Sequence, residues 1–386
     1  MNNKLFKMYM KFQVFVLIFA FFINMFNFCG GFANAENHIN SSAKSMVIIE
    51  KNSGRILFSK NENERLPMAS LTKIITAIYV IKNEKNIDRI VEIEENMTGV
   101  EGSSIGLKTG EHLSIRELLY GLMLRSGNDS AVALAYSISG SIEQFVYDVN
   151  TWLSDLGFKN TNIKNPHGLH DDNHYTTALE LANITAMALN NEIFQEIVST
   201  KEKSISNELN SKTSRNLKNK NRFLKDYEFA DGVKTGFTKK AGRCFVGSST
   251  KDGMQVICVL LNCVPMFEEC EYFTRKAFDE FKLEKVISSG QNLGKLNVKN
   301  SKEQNIEVVF NKDFYYPLRV NEKNDIKVNF TQRENIIAPI KECEDIGVVE
   351  ITFKNQLIFS DKIYSIKYIK SNTLGSEFKR IIDKMF

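Results

Sequence analysis

No CxxC pair, no Cys/His zinc spacing and no HExxH helix occurs in the 386 residues, so the sequence offers no ready-made zinc site. Cysteine is scarce, six in all, and five would remain after loss of an N-terminal leader: Cys244, Cys258, Cys263, Cys270 and Cys343. An odd, unpatterned set argues against a disulfide framework, although one bridge within 244–270 stays open. Charge of neither sign dominates, since 50 Lys and Arg face 46 Asp and Glu for a formal +4. That balance leaves no general electrostatic footprint for nucleic acid. No internal repeat or low-complexity tract is present, which excludes solenoids and arrays.

What is present begins with a leader. Lys4, Lys7 and Lys11 precede the apolar run Val14–Ile23, and Ala33-Asn34-Ala35 supplies small residues at the cleavage positions. Residues 1–35 therefore predict a secretory signal peptide, cut before Glu36, that carries the chain across the cytoplasmic membrane. The run is too short for the ~20 residues of an uncleaved spanning helix. Phe26-Asn27-Phe28 before Cys29 lacks the small residue of a lipoprotein site. Cleavage removes three lysines and no acid, so the formal charge falls from +4 to +1, and 351 residues remain. With 43% apolar and 25% charged side chains, that is enough for two domains with cores of their own.

Changes of hydrophobic period mark the two regions. Met46–Glu50 and Arg55–Phe58 flank a turn as a hairpin; helices are expected at 70–82, 114–125, 128–138, 142–155 and 177–196, and strands return at 244–249 and 254–262. Strands, a helical middle and strands again predict an α/β domain over about 40–285, one sheet packed with helices. From about 290 to 370 short alternating stretches such as Ile306–Phe310, Ile326–Phe330 and Gly347–Phe353 predict a small C-terminal all-β domain.

Three motifs in the first region carry chemistry. Ser70 opens a helical pattern after Pro67-Met68-Ala69, and Lys73, three residues on, projects from the same face. A serine hydroxyl is a weak nucleophile until a neighbour takes its proton, which Lys73 does only while neutral, through burial or a nearby positive charge such as Lys234. Ser126-Gly127-Asn128 lies between two apolar helices, where Ser126 can relay a proton and Asn128 can hold a substrate carbonyl and pack against Lys73. Lys234-Thr235-Gly236 precedes an apolar strand and suits a sheet edge: a lysine and a hydroxyl for a terminal carboxylate, and a glycine for close approach of a backbone.

SxxK, SxN and KTG in this order resemble the signature shared by penicillin-binding proteins and serine β-lactamases. Pro67–Lys73, Ser126–Asn128, Asn165-Pro-His-Gly-Leu169 and Asp231–Thr238 with Ala241-Gly242 resemble more closely the low-molecular-mass D-alanyl-D-alanine carboxypeptidases, the peptidase S11 family. The resemblance implies a transpeptidase/β-lactamase-like catalytic domain and no cofactor. It also implies that Ser70 forms an acyl-enzyme with peptidoglycan stem peptides and releases the terminal D-alanine, outside the cytoplasmic membrane. Lys73 would be the base, Ser126 the relay, Asn128, Lys234 and Thr235 the substrate site, and the N–H groups of Ser70 and Phe237 the oxyanion hole beside Gly236. β-Lactams would acylate Ser70. Some relatives carry an arginine after the strand that follows KTG; here Phe267-Glu268-Glu269 occupies that stretch, and Arg243 is the candidate to compensate.

Other functions compatible with the residues are a β-lactamase or D,D-endopeptidase on the same fold, and a non-catalytic peptidoglycan-binding protein. His167, His170 and His174 with Asp171 and Asp172 would serve a metal-dependent carboxypeptidase, but their spacing fits no familiar ligand set. Glu180 lacks the context of the deacylating glutamate of class A β-lactamases and is read as a solvated helix residue. Residues 201–225 hold eight Lys or Arg against two acids and are read as a solvated loop or hairpin. Leu374, Phe378, Ile381, Ile382 and Met385 share one helical face, so 372–386 predicts an amphipathic helix lying on the membrane surface.

Overall fold

The computed structural model describes residues 39–207, 210–301, 303, 305–372 and 382. The leader expected at 1–35 lies outside the described residues, as does the helix expected at 372–386 apart from Asn372 and Ile382. Among the described residues no helix is long and apolar enough to cross a membrane.

The chain forms two compact units that divide between Ala277 and Phe278. In the first, a five-stranded antiparallel sheet runs in the order Ile56–Lys60, Ser45–Glu50, Met254–Leu261, Gly242–Lys251, Ala230–Thr238. The first hairpin thus joins the last three strands, and the strand bearing Lys234-Thr235-Gly236 takes one edge. Alternate residues face opposite ways. Val47, Ile49, Val246, Ile257 and Val259 enter the main core with the helices Thr72–Asn83, Ile115–Leu124, Asn128–Ser139 and Ala178–Ala188. On the other face Phe58 and Phe245 meet Phe273 and Phe267, with ring centroids 6.2 and 4.9 Å apart.

Those two partners belong to a helix, Met266–Glu280, that the sequence reading leaves out. Its buried residues Met266, Cys270, Phe273, Thr274 and Ala277 recur at helical spacing, but five acids among fifteen residues obscure the stripe. The helix expected over 177–196 is in fact two, Ala178–Ala188 and Glu192–Ser199. Asn191 starts the second by accepting the Phe194 N–H in its side chain, a cap that outweighs the continuous apolar pattern. The basic stretch after 200 forms the hairpin Glu202–Asn207 with Asn210–Lys218.

The second unit is all-β. Lys282–Ile287 pairs with Phe314–Leu318, Gln291–Asn297 with Asn305–Phe310, and Asp345–Phe353 lies between Ile326–Gln332 and Gln356–Tyr364. Ile287, Leu296, Val308, Val349 and Ile351 are among its fully buried residues.

Candidate active site

Ser70 sits in a 3-10 turn, Ala69–Leu71, and the α-helix begins only at Thr72, so the serine precedes the first α-turn in which the sequence reading sets it. Ala69 adopts φ +49°, a conformation that L-residues seldom hold unaided. Its carbonyl accepts the Thr72 hydroxyl at 2.7 Å, and His174 Nε2 lies 2.7 Å from the same hydroxyl oxygen. Because the Lys164 N–H donates to His174 Nδ1, the Nε2 proton completes a chain from His174 through Thr72 to Ala69. Gly168, at φ +91°, presses on the turn from outside: a Cβ there would stand 1.9 Å from the Ala69 oxygen. Gly236 closes the other side, where a Cβ would lie 3.2 Å from the Ser70 nitrogen. The Ser70 turn is thus gripped between the Asn165–Leu169 loop and the edge strand.

Lys73 is fully buried, with Nζ 3.1 Å from Ser70 Oγ, 2.7 Å from Asn128 Oδ1 and 2.7 Å from the His167 carbonyl. Burial, and then the positive fields of Lys234 and Lys220, hold its pKa well below the ordinary lysine range, with Asp129 pulling the other way. A neutral amine has two N–H bonds and a lone pair. Asn128 Oδ1 and the His167 carbonyl can only accept, so they take the two N–H bonds and leave the lone pair facing the serine hydroxyl.

The second motif is bent into place by Ser126 at φ +61° and by the Gly127 N–H bond to the Gly121 carbonyl at 3.0 Å. Ser126 is buried, and among the described residues no hydrogen bond joins it to Ser70 or Lys73. Asn128 spends Oδ1 on Lys73 and donates Nδ2–H to the Glu101 carbonyl at 2.5 Å, so its amide orients the lysine. The neighbouring Asp129, which the sequence reading passes over, is 1% exposed. It accepts from the Ser104 hydroxyl and from the N–H groups of Ile105, Gly106 and Leu107, tying the 104–107 loop to the motif. Only an acid in the first turn after SxN hints at this role.

Lys234 is buried in the edge strand, donates to the Thr235 carbonyl at 2.9 Å, and is lowered to about 7 by burial and then by Lys220. Thr235 is half-buried beside it. Phe237 is 60% exposed, with the Arg243 guanidinium 5.7 Å from its ring centroid.

The histidines are occupied in loop structure. His167 Nδ1 accepts from the Leu169 N–H, His174 bridges Lys164 and Thr72, and His170 lies 3.2 Å from Asp172. Burial lowers His167 to about 3 and His174 to about 4. Glu180, expected to be solvated, is instead half-buried and accepts from the Asn160 N–H and the Thr161 hydroxyl. All five described cysteines are free thiols.

Residues 32–264 match the family described as D-alanyl-D-alanine carboxypeptidase, peptidase S11. The chain belongs to that family. Residues 281–371 of this carboxypeptidase match the C-terminal domain of penicillin-binding protein 5. Over 346 residues it is 34% identical to the D-alanyl-D-alanine carboxypeptidase DacF of Bacillus subtilis, covering 88% of each chain. It is 29% identical over 358 residues to DacA of Escherichia coli, covering 88% of this chain and 86% of the relative. Penicillin-binding protein 5 from Haemophilus influenzae superposes with a TM-score of 0.72 at 28% identity, over 86% of this chain and 99% of that one. The enzyme is therefore a serine-type D-alanyl-D-alanine carboxypeptidase on a penicillin-binding-protein fold.

Proposed function

We propose that this carboxypeptidase removes the terminal D-alanine of peptidoglycan stem peptides through an acyl-enzyme on Ser70, and that β-lactams acylate the same oxygen. The observation that carries the reading is the environment of Lys73: fully buried, 3.1 Å from Ser70 Oγ, with both N–H bonds of its neutral form engaged by carbonyl oxygens. Lys73 takes the serine proton as Oγ attacks the carbonyl between the two D-alanines. The tetrahedral oxyanion is received by the N–H groups of Ser70 and Phe237, a role supported by the close approach of the Gly236 backbone to Ser70. The C–N bond then breaks, Ser126 passes a proton to the leaving amine, and water hydrolyses the ester to free Ser70. Asn128 orients Lys73, and Lys234 with Thr235 receives the substrate's terminal carboxylate. The leader at 1–35 delivers the chain to the outer side of the membrane, and the 372–386 segment holds it at the membrane surface.

The test is release of D-alanine from a synthetic peptide ending in D-Ala-D-Ala, measured with and without a chelator. Wild type releases D-alanine equally in both, and Ser70→Ala releases none. Chelator-sensitive release that survives Ser70→Ala contradicts the reading. For the membrane segment, a chain lacking 372–386 that still sediments with membranes after leader cleavage rejects that role.

A further inference from the structure

A peptide ending in D-alanine brings a full negative charge into the cleft, and a buried Lys234 lowered to about 7 is a weak sole counter-ion above neutral pH. Arg243, the residue the sequence offers for this charge, stacks against Phe237 and is not among the cations whose fields reach Lys73 or Lys234. The cation whose field reaches both is Lys220.

Lys220 is fixed at the cleft by its own backbone. Its N–H donates at 3.0 Å to the carbonyl of Leu124, the last residue of the helix that leads into Ser126. Its Nζ donates at 3.0 Å to Ser103 Oγ, and the Ser103 carbonyl accepts the Asn128 N–H at 2.6 Å. The ammonium therefore stands beside the second motif. Among the described residues no carboxylate forms an ion pair with Lys220, whose pKa partial burial and then the neighbouring Arg125 lower from the ordinary lysine value, whereas Lys234 is fully buried. Asp129, the acid that acts on Lys73, already accepts from one hydroxyl and several backbone N–H groups. Positive charge collected without a counter-ion around a cleft is a receptor for an anion.

We propose that Lys220 is the second cation of the terminal-carboxylate site, closing with Lys234 on the substrate's C-terminal carboxylate. This rests on the acyl-enzyme reading given above and assigns it a specificity residue outside the three motifs. The 220 position enters the cleft because the basic hairpin Glu202–Asn207 with Asn210–Lys218 delivers the chain there, so part of the 201–225 charge excess serves the site.

The experiment compares wild type, Lys220→Gln and Lys220→Arg on a D-Ala-D-Ala peptide and on the same peptide with a C-terminal amide. Glutamine keeps a donor for Ser103 and removes the charge. The expected result is a ~10- to 100-fold fall in kcat/KM for Lys220→Gln on the acid, the size of one charge-assisted hydrogen bond, with little change on the amide and recovery in Lys220→Arg. The acid limb of kcat/KM should also move to higher pH in Lys220→Gln on both peptides, so acid and amide are compared at a pH above that limb. Lys73 is faced by Lys234, Lys220 and Asp129, with His167 and His174 neutral, and loss of one positive neighbour lets it keep its proton longer. Equal losses on acid and amide, or no loss on the acid, overturn the proposal. A fluorescent penicillin run in parallel separates the two failures: no Ser70 adduct on wild type removes the acyl-enzyme reading itself. An adduct on wild type with an unselective Lys220→Gln removes only the assignment of Lys220.

Discussion

Lys73, Lys234, Asn128, Asp129, His167 and His174 are all buried in the unit that carries the motifs. Among the described residues the β unit buries few polar side chains, Ser301, Glu322 and Ser365, and sets charges at its surface in pairs such as Lys362–Asp345 and Lys285–Asp313. Burying an ionisable group costs free energy unless it is neutral and hydrogen-bonded, so a fold selected for stability alone avoids it. The first unit accepts that cost where it lowers the pKa of a lysine beside a serine; in the second the buried Glu322 is met by the Lys354 ammonium at 3.1 Å. The contrast predicts that substitutions in the first unit alter chemistry more than stability, and that the reverse holds for the second.

The largest expected effect is at Lys73. Lys73→Met should lower kcat/KM on a D-Ala-D-Ala peptide by ~1,000-fold or more, the range of a lost general base, in a protein that still folds by circular dichroism. Activity within tenfold of wild type would remove the lysine from the chemistry. Next comes Gly168→Ala, whose Cβ would stand 1.9 Å from the Ala69 carbonyl oxygen. The Ser70 turn or the Asn165–Leu169 loop must then move, and a displacement of about 1 Å at the nucleophile costs ~100-fold in rate. An unchanged acylation rate would show that the turn is not held by that loop.

A pH titration separates the units by stability. His174 and His167 titrate near 4 and 3 when folded, against about 6.5 when unfolded. The unfolded chain thus binds more protons as pH falls below 6.5, and the stability these neutral histidines confer is lost from there down through pH 4 and 3. All five histidines precede the β unit, so this loss belongs to the first unit alone. Calorimetry from pH 7 to 4 should show the first unit's transition falling, and His174→Asn should flatten the fall; a parallel decline in both units would break the contrast. The smallest effect is at Lys362, half-exposed and paired with Asp345. Lys362→Ala should leave D-alanine release unchanged and stability within ~1 kcal/mol in chemical denaturation.

What was legible in the sequence was local. Ser70 and Lys73 are three residues apart, and Lys234 to Gly236 sit beside an apolar strand pattern, so short-range spacing suffices to find them. The hairpin, most helices and the edge position of the third motif follow from hydrophobic period for the same reason. The rest depends on distant segments meeting. Asp129 and the 104–107 loop are about 25 residues apart, Gly168 and Ala69 about 100, and Lys220 and Ser103 117. The break at Asn190-Asn191 is hidden because an apolar stripe continues across a capping residue, and Met266–Glu280 because acids crowd its exposed face.

The roles proposed for the cleft all turn on Ser70 being the acylated nucleophile. Incubating the chain from Glu36 onward with a fluorescent penicillin, followed by denaturing gel, intact mass and peptide mapping, tests it directly. One stable adduct is expected on the peptide containing Ser70 and none on folded Ser70→Ala. An adduct that persists in Ser70→Ala, or intact drug and unmodified wild type after long incubation, would contradict it.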